Sequence, residues 1–128
     1  MPIEFTIDRT RDFTLFTGSG VLTVDDFFGV FDAYSKAGPT RLELYDFREV
    51  TESRLSGEGI RTLSMIGLSK SSERIPGSRT ALVATSSDAY GLSRMYQLLG
   101  ELEGVAWDVE VHRTMDAAYA SLGLTAPE

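Results

Sequence analysis

The chain reads as an α/β protein. The expected architecture is a five-stranded mixed sheet in the order β-β-α-β-α-β-α-β-α, with the helices mainly on one face. Three observations carry this. Strand-like segments recur five times, near 3–8, 13–17, 40–47, 81–84 and 107–112. From the second onward, each is followed by a stretch with helical spacing, which implies parallel strands joined by right-handed crossovers. Four of the five are apolar on one side only, whereas a doubly wound sheet would show near-continuous apolar strands.

The elements follow in order. Ile3-Glu4-Phe5-Thr6-Ile7-Asp8 alternates, then a polar turn, Arg9-Thr10-Arg11-Asp12, leads into Phe13–Thr17, so the two strands form an antiparallel hairpin. Gly18-Ser19-Gly20 reads as the strand exit. Thr23 is a helix N-cap, with Asp25 and Asp26 complementing the helix dipole; the same placement accounts for this acid pair without a metal. Phe27, Val30, Phe31 and Tyr34 then keep helical spacing until Gly38-Pro39 stops it. Along 40–47, Leu42 and Leu44 face one way, Glu43 and Tyr45 the other.

A polar loop over 48–54 precedes a second helix from about Ser56 to Leu68, and another polar loop spans 70–78. Ala81-Leu82-Val83-Ala84 is apolar on both faces and reads as the central strand. Ser86 or Ser87 caps a third helix reaching about Leu102. Trp107, Val109 and Val111 alternate with Asp108, Glu110 and His112 in the last strand. Thr114 caps a final helix through Leu122, and Gly123 suits the position just past its end.

At 128 residues the chain fits one domain over 1–128, large enough to bury roughly two-thirds of its unfolded surface. It has no cysteine, which excludes disulfides, thiolate metal sites and cysteine nucleophiles. The net charge of −7, with no clustered basic stripe, argues against nucleic acid. No secretory leader pattern and no membrane-span-length apolar run is visible, so a cytoplasmic location is the expectation. No cofactor or metal set is read.

The element order resembles the anti-sigma-factor-antagonist-like fold, called SpoIIAA-like or STAS-like. The stretch Asp46-Phe47-Arg48-Glu49-Val50-Thr51-Glu52-Ser53-Arg54-Leu55-Ser56-Gly57 is similar to that fold's third strand, loop and helix start. Ala81-Leu82-Val83-Ala84, with Ser87-Asp88-Ala89-Tyr90-Gly91-Leu92-Ser93-Arg94-Met95-Tyr96, resembles a broad bacterial branch of SpoIIAA-like proteins. The resemblance implies that helix two and the loop before it meet protein partners. Regulatory members carry an Asp-Ser-Ser-Gly-like sequence at the second helix start, where a partner kinase phosphorylates the first Ser. Those positions here are Arg54, Leu55, Ser56 and Gly57, so the acid and the acceptor hydroxyl are replaced. Ser56 reads as an N-cap before it reads as a phosphosite.

Two sets of site residues emerge. On the third helix, Leu92, Met95, Tyr96, Leu99 and Leu102 form an inward stripe, which puts Tyr90 and Arg94 on the opposite side. An outward Tyr and Arg have the composition of an interface anchor. On the second helix, Met65, Ile66 and Leu68 spread around the circumference. Tyr90, Arg94, Met65 and Leu68 are therefore the candidate partner-binding residues, for another protein or for a second copy in a homodimer. The bland reading is a solvated face with one stray Tyr.

The second set lies beyond the carboxyl ends of the parallel strands, where ligands gather in such sheets. Asp46, Arg48, Ser86, Ser87 and Asp88 would line a pocket for a small molecule or lipid; ordinary turn and cap duties would account for the same residue types. His112, the only histidine, has no nucleophile or second histidine in a recognisable pattern and reads as a surface residue. The sequence therefore points to a non-catalytic binding module, with a small-ligand carrier as the alternative.

Overall fold

The computed structural model describes residues 2–69, 77–103 and 108–125. The chain builds one five-stranded sheet: β1 (Ile3–Asp8), β2 (Phe13–Leu22), β3 (Leu42–Ser53), β4 (Arg79–Val83) and β5 (Asp108–His112). Strand order in space is β1-β2-β3-β4-β5; β1 is antiparallel to β2 and every other pairing is parallel. Four helices complete the chain: α1 (Val24–Ala37), α2 (Gly57–Ser69), α3 (Ser87–Glu103) and α4 (Met115–Ser121).

The period-two alternation divides the core in two. Phe16, Tyr45, Phe47 and Leu82 point to one face and pack with Phe27, Val30 and Tyr34 of α1, Leu63 of α2 and Tyr96 of α3. Phe13, Leu42, Leu44, Ala81 and Val83 point to the other and pack with Ala118, Tyr119 and Leu122 of α4. Three helices thus share one face and the short fourth covers part of the opposite one. Phe16 and Tyr45 stack at 4.2 Å between ring centroids, and Tyr34 meets Phe16 edge-on.

Two features differ from the sequence reading. First, β2 continues through Gly18-Ser19-Gly20 to Leu22, and β3 continues through the expected loop to Ser53. The two extensions pair with each other beyond the end of β4, with register shifts between Thr17 and Ser19 and between Gly20 and Val21. Such bulges twist and bend a ribbon. Gly18 is required here: a Cβ on it would lie 2.8 Å from Cδ1 of Phe47, whose ring covers the glycine.

Second, β3 is the middle strand, rather than the segment around Ala81. All six residues from Leu42 to Phe47 are buried, including Glu43 at 2 % exposure. Two carboxylates in its sequence disguised a strand covered on both sides. Glu43 accepts from the Thr80 hydroxyl at 2.8 Å, within a buried polar row completed by Thr14, Thr40 and Tyr34. The Tyr34 oxygen accepts the Thr40 backbone N–H at 2.9 Å. Burial, and then the Glu43 charge, push the Tyr34 hydroxyl up to about 12.

Trp107, read as the first residue of β5, lies outside the described residues.

Helix ends are closed as their residues require. Thr23 and Asp26 form a reciprocal capping box. At the other end of α1, Arg9 donates to the Ala37 carbonyl at 2.7 Å, and Gly38 adopts φ +94. Thr114 caps α4. That helix ends in a Schellman motif: Gly123 N–H bonds to Ala120, Leu124 N–H bonds to Tyr119, and Gly123 has φ +72. Asp12, at φ +52 in the hairpin turn, takes the Arg41 and Leu42 backbone N–H groups on its carboxylate and carbonyl.

Candidate functional site

α2 and α3 follow consecutive parallel strands and pack on the same side of the sheet. Ile60 and Leu63 of α2 turn inward, and Met65, two residues on, is 57 % exposed. On α3, Ala89 and Ser93 are buried while Leu98 is 48 % exposed. On α1, Phe28 is 37 % exposed, next to the buried Phe27. Among the described residues these are the exposed large apolar side chains, and each belongs to a helix of the same layer. The side chain of Leu68 lies outside the described residues.

Tyr90 and Arg94 sit one turn apart on α3, but each has its own partner. The Arg113 guanidinium lies 3.9 Å from the centroid of the Tyr90 ring, tying the β5–α4 connection to the start of α3. Arg94 donates to the side-chain oxygen of Gln97, whose nitrogen donates to the Val109 carbonyl at 2.7 Å. Tyr90 is half-buried and Arg94 exposed.

The residues expected around a pocket divide between the two sides of the sheet. Asp46 and Arg48 are on the α4 side. Arg48 forks onto Asp46 with Nε and Nη2 at 2.9 Å each, and its backbone N–H adds a third bond. Burial raises the Asp46 carboxyl, but the Arg48 hydrogen bonds outweigh it and hold the group below its ordinary value. Tyr119 of α4 feels both charges, and burial raises its hydroxyl. Ser86 opens α3 on the other side, its hydroxyl accepting the Ala89 N–H at 3.1 Å, with Ser87 exposed beside it. The side chain of Asp88 lies outside the described residues.

Ser56 is likewise spent on a helix end. Its hydroxyl accepts the Gly59 N–H at 3.0 Å, and its carbonyl accepts the Ile60 N–H at 3.0 Å. Arg54 pairs with Glu52 at 3.6 Å. His112 is less open than a surface residue: α4 packs against β5, its side chain is 22 % exposed, and Nε2 is buried 3.6 Å from a Glu110 oxygen. Among the described residues no group of three or more His, Asp or Glu side chains is placed to hold a metal. None of the described helices is long and apolar enough to cross a membrane.

Sequence reasoning passed over Leu98, and it placed Gln97 beside Tyr90 and Arg94 on the outer side of the third helix without giving it a role. The signal for Leu98 was present, because it repeats the four-residue step from Tyr90 to Arg94 and so continues their stripe. The role of Gln97 had none, since its partner is a backbone carbonyl brought close only by the tertiary fold.

No protein-family model and no curated protein sequence matches the chain. Several solved structures are similar to it, two of them as follows. One is an uncharacterized protein from the DUF3478 family, with a SpoIIAA-like fold, from Shewanella loihica PV-4. It is 18 % identical, with a TM-score of 0.61 over 94 % of this chain and 93 % of that one. The other is the anti-sigma factor antagonist SpoIIAA in its unphosphorylated form, 16 % identical, with a TM-score of 0.57 over 97 % of this chain and 99 % of that one. With nearly end-to-end superposition on both, the chain has the SpoIIAA-like, or STAS-like, fold.

Proposed function

We propose that the chain, acting as one unit over 1–128, is a non-catalytic regulatory module that works through protein–protein contacts on its α1–α3 layer. The observation that carries this is the confinement of Phe28, Met65 and Leu98 to helices of one layer. Apolar groups scattered over a surface need no explanation, but a layer that collects them fits a contact face. The fold supports the same reading, since one similar structure is an anti-sigma factor antagonist.

A phosphoserine switch is not part of the proposal. Leu55 stands where the resemblance places the acceptor hydroxyl, and the Ser56 hydroxyl is engaged as a helix cap. The hydroxyls of Ser86 and Thr114 are engaged the same way, which leaves them accepting backbone N–H groups rather than aimed at a substrate.

The test is a comparison of wild type with Met65→Glu. Cross-linked partners from the native host, or the homodimer in sedimentation, should be lost with the variant while its melting temperature holds. Intact-mass measurement should show no stoichiometric phosphate. Association that is indifferent to Met65, Leu98 and Phe28 substitutions would sink the reading.

A further inference from the structure

Arg61 and Met65 stand one turn apart on α2, and Arg94 and Leu98 stand one turn apart on α3. All four are exposed. Because α2 and α3 both return from a parallel strand to the next on one side of the sheet, they run side by side in the same direction. Each helix therefore presents an arginine and then an apolar side chain, in the same order along the layer. Tyr90 extends the α3 row by one more turn.

Of the other described arginines, some are ion-paired and the rest are spent elsewhere: Arg9 and Arg79 donate to the backbone carbonyls of Ala37 and Ser121, and Arg113 lies over the Tyr90 ring. Arg11, Arg41, Arg48 and Arg54 each approach a carboxylate within 4.0 Å. Among the described residues, Arg61 and Arg94 approach none; Arg94 bonds to the neutral amide of Gln97. The chain has 19 acidic residues against 12 Lys and Arg, so carboxylates are not scarce. The nearest acid along α2, Glu58, is exposed one turn before Arg61 and forms no ion pair with it.

Arginine beside exposed apolar surface supplies two things at once: a planar fork that takes a carboxylate bidentately, and a stem that packs. We propose that the outer surface of α2 and α3 docks an acidic amphipathic protein segment, its apolar stripe on Met65 and Leu98 and its carboxylates on Arg61 and Arg94. A helix laid on this surface supplies acid and apolar positions one turn apart, matching the rows. A second copy of the chain fits less well, since a two-fold contact returns the same arginines to the same surface. The inference rests on the helical layer being the working face, and adds the chemistry of its partner.

The test uses two synthetic helical peptides with the same leucine stripe, one flanked by glutamates and the other by lysines, titrated into the full chain by fluorescence anisotropy. The net charge of −7 alone favours the lysine peptide. The surface described here favours the glutamate peptide, by about tenfold or more. Met65→Ala with Leu98→Ala, and separately Arg61→Ala with Arg94→Ala, should each weaken that binding about tenfold. Circular dichroism and melting confirm that the variants fold, and Arg61→Ala alone carries the charge arm if the Arg94 variant melts lower. A preference for the lysine peptide that still depends on Met65 and Leu98 overturns the acidic partner and leaves the helical face standing. Binding of neither peptide overturns the acidic-segment proposal. A concentration-dependent dimer of the chain alone, abolished by the Met65 and Leu98 pair, overturns it in favour of a second copy.

Discussion

The Gln97 side-chain amide donates to the Val109 carbonyl at 2.7 Å, so α3 grips the strand that ends the sheet. A terminal strand offers unpaired backbone groups to any passing strand, and a side chain parked on one of them blunts that tendency. Gln97→Ala should cost about 1 kcal/mol in stability. Hydrogen exchange should rise in β5 ahead of the other strands, and the variant should aggregate sooner on mild heating. Unchanged exchange in β5 would remove Gln97 from this role.

Gly18→Ala forces a methyl group to within 2.8 Å of the Phe47 ring. Overpacking of this kind costs about 1–3 kcal/mol, visible as a lower denaturation midpoint in urea. Phe47→Leu in the same chain should recover part of that loss, because the clash is with the ring; a double-mutant cycle measures the coupling.

Tyr34→Phe leaves the packing of the ring in place and removes its oxygen from the buried polar row. The Thr40 N–H then loses its 2.9 Å acceptor in a place closed to water. The expected loss is about 1–3 kcal/mol. Tyr45→Phe tests a different stacked tyrosine of the same core, and the two losses measured by chemical denaturation need not match.

Asp46 makes stability depend on pH in a definite direction. Its folded carboxyl titrates below the unfolded value, so the folded state favours the ionised form. The resulting stabilisation is present above the unfolded carboxylate range, near about pH 4, and is lost as pH falls through the lower folded value. Arg48→Ala should cost about 1–2 kcal/mol near neutrality, since Arg48 itself is half-exposed. The gap in melting temperature between wild type and variant should shrink as the buffer is taken below about pH 4. A gap that widens with acid would contradict this assignment.

Much of the fold was legible because its elements obey local rules. Thr23, Thr114 and Gly123 sit where capping chemistry puts them, and the alternation of Leu42 and Leu44 against Tyr45 correctly divided the two faces. What the sequence concealed depends on contacts between distant segments. The β2–β3 extension is held by pairing between the two strands, and its Gly-Ser-Gly and charged residues look like loop. Glu43 looks solvent-facing until Thr80, 37 positions away, arrives with a hydroxyl. The site shows the same division. Tyr90 and Arg94 could be placed on one side of a helix from spacing alone, whereas Arg113 over Tyr90 could not, because that contact joins two ends of the α3–β5 unit.

The order of strands in the sheet is also the order in which the chain is made. Every ladder closes between a strand and the next one along the sequence. The hairpin can form as soon as it leaves the ribosome, and each later strand–helix unit adds to an edge already in place. No strand of the sheet waits for one beyond its neighbour in sequence, so loop-closure entropy is lost in small instalments and refolding should be quick for a parallel sheet.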